Sequence, residues 1–207
     1  MLRPSCGETC TNQIMTLETL FGEIRSCTFC AEHLPLGPRP IIRGAASAKV
    51  LIIGQAPGTK VHASGVPWDD ESGKRLRNWM GLTPDTFYDN TKIAIVPMGF
   101  CYPAKGKSGD LPPRPECAPL WHDRVLKLLP NIELTVLIGQ YAQQRYLFGK
   151  QKDTLTETVQ NWPEYLQSGY WPIVHPSPRN AIWLARNKWF ESEVVPELQR
   201  RIAEALS

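Results

Sequence analysis

Short apolar runs alternate with amphipathic stretches along most of the chain. Leu17, Leu20, Phe21 and Ile24 recur at helical spacing and predict a first helix. Residues 49–53 end in the run VLII and predict a buried strand. Residues 72–81 read as a helix, with Leu76, Trp79 and Met80 on one face and Gly81 as its stop. KIAIV at 92–96 predicts a second strand. Residues 116–129 predict a helix entered from Pro115 and ended by Pro130. ELTVLI at 133–138 predicts a third strand, followed by a helix from 141 to about 148. A further helix is expected over 154–166, a short fourth strand over 171–174, and closing helices from Ala181 onward. Strands spaced by helices pair in parallel, so the expected fold is a three-layer α/β/α sandwich around a central four-stranded parallel sheet. Residues 14–207 are expected to form one domain. Residues 1–13, with Cys6 and Cys10, are polar and aperiodic and read as a flexible tail.

Composition narrows the class. Hydrophobic residues make up 42% and charged residues 21% of the 207, which fits a globular protein. No apolar run nears the about 20 residues of a membrane helix. The start shows no basic stretch followed by an apolar core, so a cytoplasmic location is expected, and the chain is expected to be a monomer. Six cysteines in that setting argue against a disulfide framework and leave metal ligation or burial. The net charge of +3 permits a nucleic-acid partner without requiring one. Residues 102–114 carry Lys105, Lys107 and Arg114 against one acid, Asp110, which by charge alone reads as a solvated loop.

In an open parallel sheet, ligands bind beyond the carboxyl ends of the strands. The four exits here read GQAPG (54–58), PMGFCYP (97–103), GQ (139–140) and HPSPRN (175–180). Glycine allows close backbone approach and proline fixes loop shape, so these exits suit a rigid pocket for a flat polar ligand. GQAPG has neither the spacing of a Walker loop nor that of a dinucleotide fingerprint. HPSPRN is a stiff finger with an imidazole at its base.

GQAPG after the first strand, paired with HPSPRN after the last, resembles the uracil-DNA glycosylase superfamily, whose two signature motifs occupy these places in this order. The resemblance runs from about Cys27 to the last helices. It implies an enzyme that flips a deaminated nucleotide out of DNA and hydrolyses its N-glycosidic bond. Gly54, Gln55, Ala56, Pro57, Gly58, Trp68 and His175 would then form the base pocket. Trp68 would stack on the extruded base, and His175 would donate a hydrogen bond to the uracil O2 as charge develops there. Pro176, Ser177, Pro178, Arg179 and Asn180 would press into the minor groove, with Arg179 filling the vacated gap or clamping a phosphate.

Cys27-x2-Cys30, Cys101 and Cys117 resemble the iron–sulfur branch of that superfamily, in which four cysteines ligate a 4Fe–4S cluster. Four thiolates meet that ligand count, and they equally meet that of a zinc site, which spacing does not separate. A cluster would staple the intervening loop and present Lys105, Lys107 and Arg114 to DNA phosphates.

Two positions depart from the family pattern. The first motif has Ala56 where well-known members carry a water-positioning aspartate, and Gln55 where the iron–sulfur branch has glutamate. The second strand ends in Pro97 and Met98, where an asparagine commonly reads the uracil edge. Asp69 and Asp70 are substitute carboxylates, with helix capping as their alternative role. The expected catalytic set is therefore His175, Gln55, Asp69 and Asp70. Two rival readings stand beside it. One is a damaged- or single-stranded-DNA binding protein on the same fold. The other is a flavodoxin-like protein, disfavoured because no exit has a phosphate-cradling glycine pattern.

Overall fold

Val50–Ile53 forms strand β1, and all four residues are buried because helices cover both faces of the sheet. The computed structural model describes residues 15–107 and 109–207. The tail expected over 1–13, with Cys6 and Cys10, lies outside them.

Before β1 comes α1 (Leu17–Arg25), started by the Thr16 side chain accepting from the Thr19 amide. After β1 come α2 (Thr59–Ser64), α3 (Glu71–Met80), α4 (Pro84–Phe87) and β2 (Ile93–Ile95). A small hairpin follows, β3 (Lys105–Gly106) with β4 (Gly109–Asp110). The chain continues through α5 (Cys117–Lys127), β5 (Leu134–Ile138), α6 (Gln140–Tyr146), α7 (Leu155–Gln160), α8 (Trp162–Leu166) and β6 (Tyr170–Ile173). It closes with α9 (Ala181–Arg186) and α10 (Val195–Leu206).

The four core strands form one all-parallel sheet in the order β2-β1-β5-β6, as the alternating pattern predicts. From β1 the chain steps to one side for β2, then crosses to the other side for β5. That reversal is the switch point at which open α/β sheets form a crevice. Registers such as Ile53↔Leu137 and Ile138↔Ile173 bring the exits of β1, β5 and β6 to one edge.

Side-chain alternation divides the core. Leu51, Ile53 and Leu137 pack with Leu20, Phe21 and Ile24 of α1 and Val125 of α5. Val50, Ile52 and Val136 pack with Leu76 and Met80 of α3 and Leu198 of α10. The three layers of the sandwich follow. Among the described residues no helix is long and apolar enough to cross a membrane.

Two local features differ from the sequence reading, and the proline inside the expected fourth strand has a structural reason. The helix expected over 154–166 is two helices broken at Asn161, because Pro163 has no N–H to continue the ladder. Pro172 inside β6 is tolerated because β6 lies at the sheet edge. The short pieces α2, α4 and the β3–β4 hairpin carry no readable period and went unpredicted.

Candidate active site

The turn after β1 is fixed by its own carbonyls. Gly54 and Gln55 accept from the amides of Met98 and Gly99 at 2.9 and 3.0 Å, locking the turn to the exit of β2. Gly54 is buried beneath the Trp68 indole, and a Cβ at Gly54 would stand 2.8 Å from that ring. Glycine here is what lets the indole lie on the turn.

Trp68 itself holds φ at 60°, a region that bulky residues rarely adopt. Several contacts enforce it. Arg77 donates to the Trp68 carbonyl at 3.3 Å, and the Tyr88 hydroxyl donates to the Pro67 carbonyl at 3.1 Å. A Cβ on Gly73 would fall 1.7 Å from the Trp68 oxygen, so α3 approaches this loop only because residue 73 is glycine. Strain held by surrounding packing is characteristic of ligand clamps.

His175 leaves β6 opposite this turn. Its ring lies 5.6 Å from the Trp68 ring, centroid to centroid, tilted by 37°. Asn180 donates to the His175 carbonyl at 2.7 Å, and Arg75 donates to the Ser177 carbonyl at 3.2 Å, so the finger is braced from both ends. Burial lowers the His175 pKa to about 4, with Asp70 opposing the shift. At neutral pH the imidazole is therefore uncharged and offers one N–H to a ligand.

Between these walls lies a cavity of about 240 Å³. Gly54 through Gly58, Trp68 and His175 all line it, so the residues expected to form the base pocket converge. A model of the uracil DNA glycosylase superfamily matches residues 41–199. The chain belongs to that superfamily. Its members act on DNA as glycosylase hydrolases, and the two motifs of this member face each other across one cavity.

The remaining expected residues divide. Asp70 lines the cavity, while its Oδ1 accepts from the Gly73 amide at 2.8 Å and starts α3. Asp69 is exposed and lies outside the cavity wall, because the turn into α3 points only the second acid inward. Ser177 and Arg179 line the cavity mouth, Pro178 is exposed and Pro176 is buried. Asn180 spends its side chain on His175 rather than facing outward. Lys105 and Lys107 are exposed on the hairpin. Arg114 is not part of that basic surface: it pairs with Glu116 at 2.6 Å and turns toward the cysteines.

Cys27, Cys30, Cys101 and Cys117 line one apolar pocket with Phe100 and Trp121. All four are free thiols, and the Phe100 amide donates to the Cys117 sulfur at 3.4 Å. Burial pushes Cys101 up to about 11 and Cys117 up to about 12, and the neighbouring cysteines add to both shifts. Both are therefore protonated at neutral pH, and holding them as thiolates would take a positively charged guest. Among the described residues, no group of three or more His, Cys, Asp or Glu is arranged to hold a metal ion.

Two residues escaped the sequence reading. His122 is fully buried in α5 and stacks on Phe100, with ring centroids 5.6 Å apart. Its Nε2 lies 3.0 Å from the Pro97 carbonyl and its Nδ1 2.5 Å from the Tyr146 hydroxyl. A carbonyl can only accept, so Nε2 carries the proton and Nδ1 accepts from Tyr146. Burial lowers the His122 pKa to about 4, which keeps this relay neutral and the Pro97 exit fixed. The only signal in sequence is a histidine on the apolar face of a helix. Asp110 is the second: the hairpin carries it to the cavity wall, which no local pattern announces.

Proposed function

We infer that this protein is a DNA glycosylase that excises a deaminated base, with uracil as the first candidate. The observation that carries this reading is the pairing of the Trp68 indole and the neutral His175 imidazole on one cavity at the switch point of the sheet. The two rings stand too close to sandwich a base between them. The base would instead stack on the indole and meet the imidazole at its edge. His175 would donate to the base oxygen as the glycosidic bond breaks, where a neutral donor stabilises developing negative charge. Gln55 can orient a base edge or a water but cannot take a proton. A dissociative path suits such a site, since DNA phosphates stabilise the sugar oxocarbenium ion.

We propose that the cysteine pocket holds a 4Fe–4S cluster, whose ligand count the four cysteines meet. A four-cysteine zinc site has the same ligand count and is the alternative. Cys27, Cys30, Cys101 and Cys117 would hold the cluster, and the Phe100 amide would donate to the Cys117 sulfur. Its role is structural, stapling the chain between β2 and α5.

The test is base release from oligonucleotides containing uracil, hypoxanthine or xanthine, single- and double-stranded, under single turnover. Uracil release is expected, with His175→Ala slower by about 10²–10³-fold. Release from none of the substrates, with tight salt-sensitive binding retained, would instead make the protein a DNA-binding module.

A further inference from the structure

The turn after β1 offers no carboxylate, yet two carboxylates reach the cavity: Asp70 and Asp110. Asp70 already accepts the Gly73 amide at the start of α3. Asp110 is different. Among the described residues no hydrogen bond ends on its carboxylate. It closes the β3–β4 hairpin opposite Lys105, and the hairpin folds back over the cavity mouth.

Two glycines set its place. The Asp110 Oδ2 lies 3.4 Å from where a Cβ on Gly58 would stand, so it touches the turn that follows Gln55. Gly109, at φ 148°, leaves room for the Arg179 guanidinium, whose Nη1 lies 2.0 Å from where a Cβ would be. The hairpin thereby meets the finger, and Asp110 shares cavity walls with Gln55, Ala56, His175 and Arg179.

We propose that Asp110 is the catalytic carboxylate of this site, holding and activating the attacking water together with the Gln55 amide. The hairpin delivers the group that the strand-exit turn lacks. This rests on the glycosylase reading above. In the step, the C1′–N bond breaks and its electron pair leaves on the base. The water oxygen forms the new bond to C1′, and one water proton passes to Asp110 and then to solvent. The departing base takes a proton from solvent, so the sum is one water added across the bond.

The groups facing Asp110 are Lys105 on its own hairpin, Arg179 on the finger, Asp70 at the start of α3 and the neutral His175. Burial raises its pKa, and Asp70 adds to this, against Arg179 and Lys105. Because the working form is deprotonated, base release falls as pH drops below that raised value.

The experiment is single-turnover release of the base that wild type excises, measured across pH for Asp110→Asn. The expected result is a loss of about 10²-fold or more, disappearance of the acid limb, and affinity for product abasic DNA within about threefold of wild type. In Asp110→Ala, added formate is expected to restore part of the rate, which reports a carboxylate role independently of the first variant. If wild type releases base and Asp110→Asn matches it within twofold with the same pH profile, or formate restores nothing to Asp110→Ala, the assignment is overturned. A wild type that releases no base from any substrate sinks the glycosylase reading itself, and that outcome is distinct.

Discussion

Trp68 keeps a positive φ because its neighbours leave it no alternative, and two of those neighbours are glycines chosen by contact rather than by turn geometry. Gly54 admits the indole face, and Gly73 admits the Trp68 carbonyl. Gly73→Ala places a methyl where that oxygen already stands, so the loop and the first turn of α3 must part. Overpacking of this kind costs about 1–3 kcal/mol, which lowers the melting temperature by roughly 3–10 °C in a chain of this size. Thermal melts check this, and base release should fall with it as the stacking wall moves. An unchanged melting temperature would show that the loop relaxes freely. At this scale the sequence exposed Trp68 and His175, because each sits in a motif beside a strand. It hid Gly73, whose need for glycine comes from another loop's carbonyl.

The β3–β4 hairpin is the element that most changes the picture. Residues 102–114 read as a solvated basic loop, and they fold instead into a two-residue ladder with Lys105 opposite Asp110. Lys105 and Lys107 are exposed on it, while Gly109 meets Arg179 and Asp110 lines the cavity. If the two lysines lie on DNA, each neutralises about one phosphate. Lys105→Ala combined with Lys107→Ala should then reduce the slope of log affinity against log salt by about 2 and weaken all sequences alike. A salt titration measures it, and an unaltered slope would take the hairpin off the DNA path. Strands of two residues have too few positions to show a period. Long elements such as β5, with five buried residues in a row, were legible because burial on both faces leaves an unbroken apolar run.

At the scale of the molecule, the cysteine pocket ties distant parts together. It joins the chain after α1, the exit of β2 and the start of α5, which also meet through side-chain packing and through contacts such as the Arg124–Glu23 ion pair. A cluster held there would contribute its binding free energy to folding. Protein purified without oxygen should be brown, with about four irons per chain, and Cys117→Ser should lose both colour and at least about 5 °C of melting temperature. Metal analysis that returned one zinc per chain in colourless protein would replace the cluster with a mononuclear site. Arg114 belongs to this assembly through its pair with Glu116, although its position in a basic loop suggested DNA.

The sequence by itself determined the layers, the parallel sheet and the two motifs at its edge, because those depend on local periods of burial and on residues adjacent to strand ends. It also determined which four cysteines were worth comparing. The tertiary structure alone decided which acids enter the cavity, which glycines are obligatory and which way Arg114 turns. Each of those rests on a contact between segments far apart in the chain, such as Asp110 against Gly58 or Trp68 against Gly73, and no local pattern encodes such a contact.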